Sequence, residues 1–312
     1  MVGVKWSLDG RLLATACYDK SVAVYRVSWA QEVIAAVECV TIIRFGSTPE
    51  ALVFVPSSKT DSEVREPSSA LSSSPSSATV SNGGCDWELV VALRDSAHLL
   101  YFDCSTIFSL PETLDVVATP SSLPKPPLAS EAPFSGEKEQ QPLAAATATT
   151  TSIELPRRLV SLNENDWDTH VSFSALLLAL SPDRRFLLVG TDKSQHLVLR
   201  VGSNRRVCVL AGHSSGEYGK PRAAWDCTSK YIYSNSEHET SILIYCVGSQ
   251  KIVSRLGGPG SSSSSGAGVL GEGGGAGQGR GHTGAVRDVC CHPTDRSVLS
   301  GSFDHSAILW TQ

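Results

Sequence analysis

Charge is scarce in this sequence: only 18% of its 312 residues are Asp, Glu, Lys or Arg, against 41% that are hydrophobic. A chain with that balance has apolar material for a core, which excludes a wholly disordered polypeptide. An excess of basic residues is lacking as well. The 26 Lys and Arg stand against 31 Asp and Glu, a net charge of -5, so there is no broad positive field to attract a phosphate backbone. DNA is therefore not expected as a partner, and RNA is disfavoured. The nine cysteines form no C-x-x-C pair and the chain has no N-x-S/T sequon, which fits free thiols in a reducing compartment. No apolar run approaches a membrane span, the longest lying near residues 175–180, and the opening Met1-Val2-Gly3-Val4-Lys5-Trp6 has no basic leader. With no Lys/Arg-rich import run either, the expectation is a soluble intracellular protein, cytoplasmic or nuclear, without membrane association.

Three windows have a composition that cannot offset its own ordering entropy: 57–86 is crowded with Ser and Pro, 119–157 with Pro, Ser, Ala and Thr, and 257–280 with Gly and Ser. They are read as disordered insertions. In what remains, apolar stretches of strand length alternate with turn residues, as at 12–16, 22–25, 89–93, 186–190 and 242–245, while long helical periodicity is missing. One spacing recurs. An acidic residue lies six before a bulky one in Asp19/Tyr25, Asp95/Tyr101, Asp192/Val198, Glu239/Tyr245 and Asp304/Trp310, which predicts five copies of one hairpin. Upstream, His170 precedes Asp192 and His282 precedes Asp304 by 22 residues each, and His213 precedes Glu239 by 26.

The last unit, Gly281-His282-Thr283-Gly284-Ala285-Val286, then Ser300-Gly301-Ser302-Phe303-Asp304, then Ile308-Leu309-Trp310, resembles a repeat of the WD40 family. The first unit, from Val4 through Asp9 and Gly10 to Asp19, is similar, whereas the second is degenerate. Five units share about 219 residues outside the insertions, about 44 each, inside the roughly 40 to 45 of such repeats. The resemblance implies an all-β propeller of about five recognisable blades, an incomplete version of a seven-bladed ring with three low-complexity loop insertions. Residues 1–56 would hold the first blade and the opening strand of the second, 87–118 the rest of the second, 158–256 two more, and 281–312 the last. Outer strands are expected near 33–40, 114–118, 207–210 and 252–256. Residues 119–157 and 257–280 then fall in d-to-a loops, and 57–86 in an a-to-b loop on the opposite face. The position 22 residues before Asp19 precedes Met1, and Trp310 is followed by two residues, so neither end supplies a closing strand. The expectation is a partial sequence or a propeller completed by another chain.

The resemblance further implies a buried hydrogen-bonded set of His282, Asp304 and Trp310, with Ser300 or Ser302 as its hydroxyl. Such burial is tolerable only when the polar groups pair. His170 with Asp192 has Val198 where Trp would stand, and His213 has Glu237 or Glu239 where Asp would stand. As in other propellers of this kind, the expected activity is holding protein partners or peptide motifs on the top face, where Lys20, Lys193, Gln195, Glu217, Tyr218, Lys220, His238 and His305 would lie. No cofactor and no metal are implied.

Other motifs are weighed against their surroundings. Gly212-His213-Ser214-Ser215-Gly216 matches the G-x-S-x-G of a serine hydrolase, but 217–221 breaks the helix such an elbow needs. Gly266 to Gly271 satisfies G-x-G-x-x-G inside a Gly/Ser tract with no strand before it or helix after it. Cys290-Cys291-His292 has no second ligand pair, since neighbours on a strand point to opposite faces. Pro124-Lys125-Pro126-Pro127 reads as linker or as a polyproline ligand, and Ser74-Pro75 and Thr119-Pro120 as linker or kinase sites. The WD-x-R signature of ubiquitin-ligase substrate adaptors is missing, since Trp310 is followed by Thr311 and Gln312. A scaffold is the preferred reading, with a Ser214 hydrolase, an RNA-binding propeller and a ubiquitin-ligase adaptor as rivals.

Overall fold

The structure is a computed structural model that describes residues 3–57, 87–108, 113–116, 158–163, 170–171, 173–216, 219–257, 267–270 and 281–311, with only the backbone described at 113–116 and 267–270. The first sheet runs β1 (Gly3–Trp6), β2 (Leu12–Ala16), β3 (Ser21–Ala30) and β4 (Val33–Phe45), each antiparallel to the last. The second starts with β5 (Pro49–Pro56), β6 (Trp87–Leu93) and β7 (His98–Asp103), followed by the one-turn helix α1 (Cys104–Ile107). β8 (Thr113–Val116) then returns to the first sheet and runs parallel beside β4, and β9 (Arg158–Ser161) completes the second against β7. The third sheet is β10 (Ala175–Leu180), β11 (Phe186–Thr191), β12 (Gln195–Arg200) and β13 (Arg206–Ala211). The fourth is β14 (Ala223–Trp225), β15 (Tyr231–Ser236), β16 (Ser241–Cys246) and β17 (Lys251–Leu256). The fifth uses β18 (Ala267–Leu270), β19 (Val286–Cys291), β20 (Val298–Ser302) and β21 (Ala307–Trp310), with β18 on its outer edge against β21.

Five sheets, four of them four-stranded and the first widened to five strands by β8, thus follow one another in a ring, a five-blade propeller. Alternation explains why they stack. A strand turns successive side chains to opposite faces, so each sheet has one face toward the sheet before it and one toward the sheet after it. Four apolar cores fill the junctions from the first to the fifth sheet. Leu12, Ala14, Val22 and Val24 meet Leu52, Phe54, Leu89 and Phe102 in the first core, and Tyr233 and Ile242 meet Val289, Val298, Ile308 and Trp310 in the last.

The hairpin between the second and third strand of every sheet turns through one left-handed residue: Lys20, Asp95, Ser194, Thr240 and His305 all have positive φ. This common corner corrects the spacing reading in two units. Asp95 is itself the left-handed residue and Asp192 lies two before it, so the counterparts of Trp310 are Leu100 and Leu199 rather than Tyr101 and Val198. A one-residue slip moves a side chain to the other face. Tyr101 and Val198 accordingly pack into the junctions beyond their sheets, while Leu100 packs into the one before.

Two outer strands also differ from expectation. The second sheet takes Arg158–Ser161, not 114–118, as its outer strand, because the 113–116 segment pairs with the first sheet instead. The fifth takes Ala267–Leu270 from the Gly-rich tract. An outer strand needs only one ladder of backbone hydrogen bonds, so composition is a poor guide to where it lies.

Candidate functional site

The polar machinery collects at the end of the ring where β20–β21-type hairpin corners meet the loops entering the next innermost strand. In the fifth sheet that machinery is complete. His282, in the loop before β19, places Nδ1 3.1 Å from Asp304 Oδ2 and Nε2 2.8 Å from Ser300 Oγ. Trp310 Nε1–H donates to the same hydroxyl at 2.8 Å. Asp304 also accepts from the amides of Thr283 and Ser306, at 2.8 and 2.9 Å, and from the Ser306 hydroxyl. Although desolvation pushes its pKa up, the hydrogen bonds from Ser306, Thr283 and His282 together hold the carboxyl well below the usual carboxylate range. Four of the expected residues, His282, Ser300, Asp304 and Trp310, are therefore brought together, and Ser300 rather than Ser302 is the hydroxyl.

The third and fourth sheets depart from that pattern. His170 lies exposed, its carbonyl accepting from Asn163 Nδ2 at 2.9 Å, and Asp192 accepts from the Ser174 amide at 2.9 Å. Phe173, three residues further on, and Ser174 are buried in that loop. His213 is buried, but its Nδ1 sits 3.4 Å from Tyr245 Oη rather than against Glu237 or Glu239. Its ring stacks on His196 with centroids 4.1 Å apart and planes 11° from parallel. His196 Nε2 has taken the hydroxyl of Ser234, at 2.7 Å, which is the counterpart of Ser300. Burial holds both imidazoles below their ordinary pKa, His213 at about 4, and for His196 the neighbouring His213 adds to the effect. The His196/His213/Ser234/Tyr245 group escapes a sequence reading, because His196 lies inside the strand Gln195-His196-Leu197-Val198-Leu199-Arg200 with nothing but alternation to mark it as buried.

Around this machinery the top-face residues take distinct places. Lys20, Lys193, His238 and His305 are exposed and Gln195 half-buried, while Glu217 and Tyr218 lie outside the described residues. Lys20 Nζ donates to Gly46 O at 3.1 Å. Lys220 reaches Glu50 of the second sheet at 3.5 Å, and Glu50, almost wholly buried, is also held by Arg94. Lys5 of β1 has a lowered pKa, from desolvation first and from nearby Arg222 second, with Asp288 opposing.

Glu237 ties two sheets together, accepting from Arg287 Nη1 at 2.8 Å and from the Gly216 amide at 2.9 Å. Arg287 in turn lies over the exposed Phe303 ring. A Cβ at Gly219 would collide with the Glu237 carboxylate. Gly219→Ala is therefore expected to expel Glu237 from its Arg287 pair and to cost about 1–2 kcal/mol, measurable as a lower urea midpoint. An unchanged midpoint would show that Glu237 relocates at no cost.

Chemistry is harder to assemble from these parts. Ser214 Oγ lies 3.0 Å from Ser236 Oγ and accepts from the His238 amide, with its neighbour His213 turned into the stack. Cys290 is exposed on one face of β19 while Cys291 packs on the other, burial raising its thiol to about 12, and His292 pairs with Asp295 at 3.1 Å. Among the described residues no group of three His, Cys, Asp or Glu is arranged to hold a metal ion, and no helix is long and apolar enough to cross a membrane.

Comparison with known families matches the WD domain, G-beta repeat, to residues 2–26 and 277–311, which are the first and last units. No curated protein matches the chain. The matched units bracket three further sheets of the same strand order, and the ring they build makes this chain a WD40-repeat β-propeller protein.

Proposed function

We propose that the chain is a non-catalytic scaffold that holds protein partners or peptide motifs within a multiprotein complex, on the face carrying the hairpin corners. The observation that carries this reading is the division of labour on that face. Buried polar groups fix the loops, through His282 with Asp304, Glu237 with Arg287 and Glu50 with Arg94, while Lys193, His238, His305 and Phe303 project outward from loops so fixed. A rigid scaffold with exposed polar and aromatic side chains suits recognition. The Ser214 hydroxyl is engaged by Ser236 and the His238 amide, and among the described residues no imidazole hydrogen-bonds to it, which weighs against the hydrolase rival at this serine.

The test is affinity purification with mass spectrometry on the tagged native protein, wild type against a Lys193→Glu/His238→Glu/His305→Glu variant that retains its circular-dichroism spectrum. Loss of stoichiometric partners from the variant is expected. Recovery of the same partner set, or ester hydrolysis abolished by Ser214→Ala, would refute the proposal.

A further inference from the structure

Four junctions of the ring are packed, and the one between the fifth and first sheets is not: among the described residues no apolar core joins them. The contrast is sharpest at equivalent positions. In the fourth sheet the paired row Trp225, Ile232 and Tyr245 faces the third sheet, and Trp225 is 6% exposed with the other two fully covered. The same row in the first sheet is Trp6, Leu13 and Tyr25, where Trp6 is 43% exposed and the other two are half-buried. Val4 beside it is 40% exposed, and Trp29 leans on Trp6 with ring centroids 6.2 Å apart.

At the other end of the stack, Leu188 and Val198 of the third sheet are fully covered by the fourth. Their counterparts in the fifth sheet, Leu299 and Leu309, pair in one row with Cys290; Leu299 is 39% exposed and Cys290 is exposed. The open junction thus has one wall built like those that receive a preceding sheet and one built like those that receive a following sheet. The first is aromatic, the second small and aliphatic. Their paired rows carry one charge, Asp288, at the inner edge. Apolar side chains on this scale are covered in the other junctions, and leaving them in water forfeits about 25 cal/mol per Å² of surface.

The occupant must continue the sheet-on-sheet interface that already runs through four junctions, with a front wall for the first sheet and a rear wall for the fifth. A second copy of this chain carries both. We propose that the propeller self-associates through this junction, the Trp6/Leu13/Tyr25 wall of one copy packing on the Leu299/Leu309/Cys290 wall of another. A two-fold arrangement repeats the contact twice and closes a dimer, and without it the same unlike walls propagate head to tail. The junction is separate from the partner-holding face, so the two readings stand or fall independently.

Sedimentation velocity of the full chain from about 1 to 100 μM tests it. Concentration-dependent self-association is expected, weakened about tenfold or more by Trp6→Lys alone and by Leu299→Glu alone. Mixing the two variants restores association, because one of the two unlike contacts then sets an ammonium against a carboxylate while the other is wild type. Circular dichroism and thermal melts of each variant separate loss of contact from loss of fold. A wild type that stays monomeric throughout, including one whose junction is covered by a different protein, overturns the proposal. So does association that neither substitution changes, or variants that fail to complement.

Discussion

Acidification from pH 7 to pH 5 is expected to destabilise the fold by about 2 kcal/mol through His213 alone, with His196 adding to the loss. His196 donates Nε2–H to Ser234, whose hydroxyl donates onward to Asn235 O at 3.2 Å, so its Nδ1 is left as a buried acceptor with no partner. His213 Nε2 is likewise buried without one. Protonating either ring would put a cation 4.1 Å, centroid to centroid, from a second imidazole in a junction sealed by Trp225 and Tyr245. The folded-state pKa of each lies below the unfolded value near 6.5, so the unfolded chain binds more protons in acid. Their contribution is fully present above about 6.5 and drains away as pH falls toward about 4. Urea midpoints of wild type and His213→Gln at pH 7, 6 and 5 check this. The variant starts less stable, having lost its stack, and the gap narrows as pH falls. Parallel profiles would show that the imidazole does not titrate in this window.

Neither histidine's role was legible from spacing, and the reason is instructive. The resemblance assigns one histidine to each repeat and expects it to meet a carboxylate, but which hydroxyl it finds depends on the neighbouring sheet. His196 arrives from the preceding sheet's third strand and occupies Ser234, an encounter across 38 residues that no local pattern encodes. By contrast, the fifth unit was readable residue by residue, because His282, Ser300, Asp304 and Trp310 all belong to one repeat with fixed offsets. The slips at Asp95 and Asp192 have a third cause. An acidic residue suits either the left-handed corner or the positions before it, so its presence marks a hairpin without fixing which face the following strand presents. Ala267–Leu270 shows the limit of composition, since a Gly-rich tract reads as linker even where its backbone pairs with β21.

A large loss of stability from removal of a single oxygen atom is expected at Ser300. Its hydroxyl accepts from Trp310 Nε1–H at 2.8 Å and lies 2.8 Å from His282 Nε2, while His282 Nδ1 lies 3.1 Å from Asp304 Oδ2, so the hydroxyl joins the indole to the imidazole–carboxylate pair. Ser300→Ala removes the hydroxyl that both Trp310 Nε1 and His282 Nε2 reach, leaving two polar groups of buried residues without it. Leaving two buried polar groups unpaired costs roughly 2–4 kcal/mol, against about 1 kcal/mol of hydrogen-bond loss for Trp310→Phe, which removes a donor and leaves Ser300 and His282 paired. The two substitutions share a partner, so their effects are less than additive in a double-mutant cycle. Hydrogen exchange locates the damage: protection falls first in β19, β20 and β21, because among the described residues of one copy the fifth sheet has an apolar core on one face, whereas the third is packed on both. If Ser300→Ala loosened all five sheets equally, the fifth would have to be coupled to the whole ring rather than held to it through the fourth.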